Sequence, residues 1–124
     1  MQPEATTAAG AETTGADLLV NTLKSCGVHF VFLESHPATD PIAAALKGSV
    51  DLRCINPVSE IACVPMADAY SRYTGEPVAS ITAGGGHCLN QVMGTTTAWG
   101  DKSPVIAIGI QEDHAFSPAP VFWL

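Results

Sequence analysis

Glu60 is the residue of this sequence best placed to do chemistry, because it follows a strand-like segment and opens a helix-like one. An acidic residue at that position has a structural explanation, since it offsets the partial positive charge of the free amides in the first helical turn. The apolar residues beside it, among them Ile61, Val64 and Met66, favour a second interpretation, in which the carboxylate is partly desolvated. A desolvated carboxylate has a raised pKa and can share a proton with a ligand nitrogen.

A run of three glycines, Gly84, Gly85 and Gly86, followed by Asn90, is the second candidate. Glycine lets the backbone pass close to a ligand or to a neighbouring subunit, but it equally suits a tight turn between a strand and a helix. The run is not a phosphate loop, since no Lys followed by Ser or Thr comes after it, and Leu89 occupies the last glycine position of a GxGxxG motif. Asn90 suits either a helix cap or a ligand contact.

The cysteines form no CxxC pair and all lie in apolar segments; they are Cys26, Cys54, Cys63 and Cys88. This pattern predicts buried free thiols, the usual state of cysteine in a reducing compartment. The alternative is a metal site completed by histidines, for which the sequence offers His29, His36 and His87. We expect no metal ligand in this chain.

Helix-like and strand-like segments alternate along the chain and would position these candidates. Apolar periodicity and capping residues predict helices over residues 14–26, 40–47, 59–73 and 86–99, and strands over 28–33, 51–55, 78–82 and 105–110. Pro65 would kink the third helix unless it falls in the first turn, where amides are unbonded. The alternation predicts an α/β fold, with an open, mainly parallel sheet and helices on both faces.

Ligands of such a sheet bind at the carboxyl ends of its strands. Three predicted loops lie there, over residues 34–40, 56–60 and 83–90. We therefore expect Glu60, the glycine run and the loop after the first strand to meet at one edge of the sheet.

Length and composition limit what the chain can be. The 124 residues, 47% hydrophobic and 14% charged, suit one globular domain over residues 14–110, after a disordered tail over 1–13. The apolar end of residues 111–124 predicts a truncated or partner-docking segment. A net charge of -7 argues against nucleic acid and anionic membranes, and no apolar run is long enough to span a bilayer, so we expect a cytoplasmic protein.

Taken together, the motifs resemble the N-terminal pyrimidine-binding (PYR) domain of thiamine diphosphate-dependent enzymes of the acetolactate synthase, benzoylformate decarboxylase and pyruvate decarboxylase type. The resemblance runs from about residue 14 to residue 109 and rests on Glu60, on the glycine run with Asn90, and on the segment 98–109. Residues of the helix after Glu60 also match, namely Met66, Ala67, Tyr70, Arg72, Thr74 and Gly75.

The resemblance implies that Glu60 is catalytic and hydrogen-bonds the ring nitrogen of the aminopyrimidine of thiamine diphosphate. The activated cofactor would then add to a 2-oxo acid and accept the electrons released with carbon dioxide. It also implies a set of cofactor-binding residues around Glu60, namely Ser35, His36, Gly84, Gly85, Gly86 and Asn90.

The sequence departs from that family in three places. Residues 33–36 read LeuGluSerHis where the family usually has GlyValProGly, and Gly85 replaces a proline, with an extra residue near His87 that displaces Asn90 by one position. The diphosphate-binding (PP) domain, which carries the Mg²⁺ ligands, has no counterpart in these residues.

The resemblance therefore implies half of an active site, within a homo- or hetero-oligomer, completed by a PP-domain partner that supplies Mg²⁺. The chain would be the pyrimidine-side half of a 2-oxo acid decarboxylase or carboligase. The alternative is a non-catalytic interaction module, or a truncated remnant, that retains the PYR fold. An unrelated α/β nucleotide-binding domain is the weakest reading, because a phosphate loop is absent.

Overall fold

A sheet of four parallel strands lies at the centre of the molecule, in the order β2-β1-β3-β4. The computed structural model describes residues 13–111. The strands are β1 (Phe30–Leu33), β2 (Arg53–Ile55), β3 (Val78–Ala83) and β4 (Val105–Ile110). In register, Val31 of β1 lies beside Cys54 of β2 and Ala79 of β3.

Helices cover both faces of the sheet, which confirms the predicted fold class. They are α1 (Gly15–Ser25), α2 (Asp40–Lys47), α3 (Cys63–Thr74), α4 (Gly86–Asn90) and α5 (Val92–Gly100), with 3₁₀ turns at Pro37–Thr39 and Glu60–Ala62. Helices α1 and α2 pack together on one face, and α3 and α5 on the other.

The core is divided between the two faces by the alternation of side chains along β1. Val31 and Leu33 are buried in the cluster beneath α1 and α2, whereas Phe32 packs against Cys63 and Ala67 of α3. A strand covered on both faces must be apolar at every position, and this explains the unbroken apolar run from which β1 was predicted.

The helix starts follow local capping rules. Thr14 caps α1, since its Oγ1 accepts the Asp17 N–H at 3.1 Å while Asp17 Oδ2 accepts the Thr14 N–H at 2.9 Å. Pro65 is the third residue of α3, so its missing N–H falls in the first turn, where no intrahelical partner exists. Pro65 therefore lies in the first turn of α3, where it does not kink the helix.

Some predicted elements differ from those observed. Strand β1 begins at Phe30 rather than Val28, because the Val28 N–H donates to the Leu23 carbonyl at the end of α1. The predicted helix over 86–99 is two helices, separated at Gln91. Trp99, for which core or interface packing was expected, is 86% exposed on α5 and so is not a core residue of this chain.

The cysteines are all free, as predicted, but the expectation that all four are buried is wrong. Only Cys63 is buried, on the inner side of α3. Cys26 lies at the end of α1, Cys54 on the edge strand β2 and Cys88 on the short helix α4, and each of these places leaves one side open to solvent. An apolar neighbourhood in the sequence did not translate into burial, because these three elements are covered on one side only.

The predictions for the tail over 1–13 and for the segment 111–124 fall, apart from Thr13 and Gln111, outside the described residues. Within residues 13–111, none of the helices is long and apolar enough to cross a lipid bilayer.

Gly94 is expected to be essential for the packing of α5 on α3. A Cβ at this position would lie 2.8 Å from Pro65 Cδ and 2.8 Å from Val64 Cβ, neither of which can rotate away. Gly94→Ala should therefore lower the free energy of unfolding by about 1–3 kcal/mol, as measured by urea denaturation. Gly100→Ala, on the same helix but with open space around it, should be neutral or stabilising. Equal effects of the two substitutions would contradict this packing role.

Candidate functional site

Glu60 lies at the carboxyl edge of the sheet, in the 3₁₀ turn that follows β2. Its Oε1 accepts a hydrogen bond from Asn90 Nδ2 at 2.7 Å, and its Oε2 accepts one from Ser59 Oγ at 3.1 Å. The structure thus joins two of the predicted site residues, Glu60 and Asn90, which are separated by 30 residues in the sequence. Asn90 contacts the carboxylate instead of capping its helix, since it is the last residue of α4.

The pKa of Glu60 is lowered, and the expectation of a desolvated carboxylate with a raised pKa is wrong for this chain. The causes are hydrogen bonds from the Glu60 backbone N–H, from Asn90 and from Ser59, which together outweigh desolvation. The apolar neighbours do not enclose the carboxylate, because Ile61 is 57% exposed and Met66 is 39% exposed. Glu60 is therefore ionised at neutral pH in a partly open cleft.

A second carboxylate, Glu34, lies at the same edge and was not predicted as a site residue. It follows β1 directly and is buried, and its Oε2 accepts the Ala83 N–H at 2.8 Å. Its Oε1 is hydrogen-bonded to Nδ1 of His87, a residue that the sequence suggested only as a possible metal ligand. Glu34 thereby links the ends of β1 and β3 to the start of α4. The one sequence signal for Glu34 as a site residue was its position in a predicted ligand-binding loop.

Glu34, Glu60 and His87 each offer one potential metal-ligand atom, and these atoms lie within 4.8 Å of one another. Among the described residues, this trio is the set that could hold a divalent cation. The carboxylate oxygens of Glu34, and Oε1 of Glu60, already accept hydrogen bonds from protein groups, so a cation at this trio would compete with those donors.

The glycines of the run have different local roles. A Cβ on Gly84 would lie 2.9 Å from the Ile110 carbonyl oxygen, so Gly84 is required by the close approach of the end of β4. Gly85 has a φ of +60°, which favours glycine, and both Gly85 and Gly86 face open space. The turn geometry accounts for Gly84 and Gly85, and a cofactor contact for the run stays a prediction.

The other predicted residues of the first loop reach the same edge. Ser35 is exposed, and His36 is half-buried at the start of the 3₁₀ turn, where its Nδ1 accepts the Ala38 N–H at 3.2 Å. The ring centroid of His36 lies 5.1 Å from that of His87. The loops after β1 and β3 are therefore in contact here, as expected from the parallel sheet.

Gln91 is a structural residue of the site that sequence reasoning missed. It is 3% exposed; its Oε1 accepts a hydrogen bond from Ser80 Oγ at 3.0 Å, and its Nε2 donates to Thr82 Oγ1 and to the Ile108 carbonyl. The signal was present in β3, where Ser80 and Thr82 interrupt an otherwise apolar buried strand. Buried hydroxyl groups need a polar partner, and Gln91 provides it.

Cys63 lies buried close to the two carboxylates. Burial, together with the negative charges of Glu34 and Glu60, raises the pKa of the Cys63 thiol to about 11. A thiol with this pKa is protonated and unreactive at neutral pH, so Cys63 is a packing residue and not a nucleophile.

An apolar groove of about 370 Å³ runs beside the site, between α5 and β4. Its walls include Cys88, Gln91, Val92, Trp99 and Gly109. Met93 on the same helix is 83% exposed. The described part of the chain thus has an apolar groove whose lining includes Cys88 and Gln91, the chain neighbours of His87 and Asn90.

A family model and individual relatives point to the same group of proteins when the chain is compared with known proteins. The family model described as "Thiamine pyrophosphate enzyme, N-terminal TPP binding domain" matches residues 13–119. The chain is 36% identical to a chloroplastic acetolactate synthase of Arabidopsis thaliana over 94 residues, which are 76% of this chain and 14% of that protein. It is 35% identical to a probable acetolactate synthase large subunit of Methanocaldococcus jannaschii over 94 residues, 76% of this chain and 16% of that protein.

A third relative is the acetolactate synthase large subunit of Haemophilus influenzae, which is 32% identical over 98 residues, 79% of this chain and 17% of that protein. The chain thus spans about one sixth of the length of the relatives it matches.

Removal of the Asn90 amide should raise the pKa of Glu60. In Asn90→Ala the carboxylate loses one of the hydrogen bonds that favour its ionised form, so its pKa should move toward the ordinary value for glutamate. Carboxyl-carbon NMR during a pH titration measures the shift. Asn21→Ala, on the exposed side of α1, is the control and should leave the titration unchanged. An unaltered Glu60 pKa in the Asn90 variant would show that the contact has no electrostatic effect.

Proposed function

The chain belongs to the family of N-terminal, pyrimidine-binding domains of thiamine pyrophosphate enzymes, and from this premise we propose that it is the pyrimidine-side half of a thiamine diphosphate-dependent 2-oxo acid decarboxylase or carboligase. The observation that carries the proposal is the Glu60 carboxylate, held by Asn90 and Ser59 at the carboxyl edge of the sheet. The matched relatives named as acetolactate synthases support the choice of a 2-oxo acid as substrate.

The Glu60 side chain fits the role of a partner for a ring nitrogen. Its two oxygens accept hydrogen bonds from the Glu60 backbone N–H, from Asn90 and from Ser59, and a carboxylate has about four lone-pair sites, so one stays open for a ligand nitrogen. The side chain is partly exposed, so a heterocycle can reach it. Thiamine diphosphate, when bound, supplies the carbon that adds to the substrate carbonyl and the ring that accepts electrons.

In this proposal Glu60 holds the proton shared between its carboxylate and the ring nitrogen. Asn90 fixes the direction of the carboxylate, and the backbone of Gly85 and Gly86, with open space beside it, allows close approach of the ring. The proposal places Ser35 and His36, in the loop after β1, on the other side of the bound ring. Closure by a second domain would remove water from Glu60 and raise its pKa, so that the proton is shared more evenly.

Enzymes of this family pair a PYR domain with a PP domain, and the GlyAspGly and Asn metal motif of the PP domain does not occur in these 124 residues. We infer that Mg²⁺ and the diphosphate are held by a PP domain outside this sequence. The exposed side chain of Trp99, which lines the apolar groove, and that of Met93 on the same helix support association with that domain or with a second PYR domain.

A non-catalytic interaction module is the second candidate. The observation in its favour is the loop after β1, where Glu34, Ser35 and His36 lie in place of the usual GlyValProGly. A module would retain the fold and the apolar groove but produce no carbon dioxide with any PP-domain partner.

The isolated chain should bind thiamine diphosphate weakly or not at all. It holds a partner for the pyrimidine, but the GlyAspGly and Asn motif with which a PP domain holds the diphosphate and its Mg²⁺ does not occur in these residues. Isothermal titration calorimetry with thiamine diphosphate and Mg²⁺ should give little heat, and addition of the PP-domain partner should restore binding. Tight binding by the chain alone would contradict the half-site proposal.

Glu60→Gln should abolish most of the activity of the complex with the PP-domain partner. Glutamine keeps the shape of the side chain but can neither take up nor release a proton at this position, so release of carbon dioxide from a 2-oxo acid should fall by about a hundred- to ten-thousand-fold. Glu76→Gln, an exposed glutamate just before β3, is the matched control and should retain full activity. Undiminished turnover by the Glu60 variant would refute its catalytic role, and an inactive wild-type complex would favour the interaction module.

A further inference from the structure

Two of the departures from the family pattern contact each other in this structure. Glu34 lies in the altered loop after β1, and His87 lies at the extra residue of the glycine loop. Although 53 residues separate them, Glu34 Oε1 and His87 Nδ1 are hydrogen-bonded. The two altered loops together form a carboxylate–imidazole pair.

The Glu34 carboxylate is held rigidly. Its side chain is 8% exposed, its Oε2 accepts the Ala83 N–H at 2.8 Å, and its own backbone N–H donates to the Ile81 carbonyl at 2.9 Å. The Glu34 carbonyl in turn accepts a hydrogen bond from Thr39 Oγ1 at 2.6 Å. Both carboxylate oxygens have hydrogen-bond partners, as a buried charged group requires. The carboxylate therefore cannot turn away from His87 without losing a hydrogen bond.

This arrangement fixes the protonation pattern of the His87 ring. An ionised carboxylate only accepts hydrogen bonds, so Nδ1 carries the proton and the lone pair of the neutral ring lies on Nε2. The His87 side chain is 41% exposed, so the ring extends from the buried carboxylate toward the cleft. Potential ligand atoms of His87 and Glu60 lie within 4.8 Å of each other, which places the imidazole beside the site proposed above.

We propose that His87 is a proton-transfer residue of the Glu60 site and that Glu34 is its positioning residue. The proposal rests on the proposed function and names the group that acts on the substrate. When the carbonyl carbon of the 2-oxo acid is attacked, its π electrons move to the oxygen, which takes the proton from Nε2 of the imidazolium. An N–H bond breaks and an O–H bond forms, and the neutral ring then recovers a proton from water at its exposed edge.

The positioning role can be tested on the chain alone by NMR of isotope-labelled histidine. In the wild type, neutral His87 should carry its proton on Nδ1. In Glu34→Gln, the side-chain oxygen has to serve the Ala83 N–H, so the amide NH₂ group faces Nδ1 and the proton should move to Nε2. His29, which precedes β1 at the opposite edge of the sheet, is the internal control and should not change. An unchanged His87 tautomer in Glu34→Gln would overturn the positioning role.

The catalytic role requires the complex with the PP-domain partner. His87→Ala should lower kcat by about a hundred- to ten-thousand-fold with little change in KM, and added imidazole should restore part of the rate. Exchange of the acidic proton of the cofactor with deuterium should persist in His87→Ala and be lost in Glu60→Gln. Wild-type turnover by His87→Ala, or a loss that imidazole does not rescue, would overturn the proton-transfer role while leaving the role of Glu60 intact. Complete inactivity of the wild-type complex would instead refute the proposed function, and the catalytic role of His87 with it.

Discussion

The side-chain amide of Gln91 is the interaction on which the geometry of the site depends. It lies buried between the sheet and α5, with its oxygen bonded to Ser80 and its nitrogen bonded to Thr82 and to the Ile108 carbonyl. One residue is thereby attached to both β3 and β4, at the point where α4 ends and α5 begins. Asn90, its neighbour in the chain, is held in reach of Glu60 as a result. Removal of the amide would leave the buried Ser80 hydroxyl without its partner, at a cost of about 1–3 kcal/mol, whereas the Thr82 hydroxyl would keep its hydrogen bond to the Ala83 carbonyl.

The fold was largely predictable because the signals that specify it are local. Strand β4 was predicted at its observed bounds, since a proline precedes it and its apolar run is unbroken. Helix α1 was predicted from its periodicity, and its start follows from the capping box at Thr14. The break at Gln91 was not predictable in this way. A glutamine suits a helix interior, and its partners in β3 and β4 become apparent only when the sheet is assembled.

The candidate site was predicted in part, for a related reason. The topology of a parallel sheet brings the loops after β1, β2 and β3 to one edge, and Glu60 and Asn90 were placed together on that basis. The burial of Glu34 was not predictable, because its partners, Ala83 and His87, come from a loop 49 or more residues away. The direction of the Glu60 pKa shift was predicted wrongly. Hydrogen-bond donors in its own turn and from Asn90 lower the pKa, and they outweigh the effect of the apolar sequence neighbours.

The strand order also determines how the side chains in the loops after β1 and β3 can change. Strands β1 and β3 are adjacent, yet the chain leaves β1 toward α2 on one face of the sheet and leaves β3 toward α5 on the other. Beyond the Glu34–His87 contact the two segments separate and form opposite walls of a crevice. A residue added to the loop after β1 or to the loop after β3 lengthens that loop without altering the register of the strands or the buried apolar clusters. Acidic and imidazole groups can therefore be exchanged, gained or lost across this crevice during evolution while the scaffold beneath stays the same.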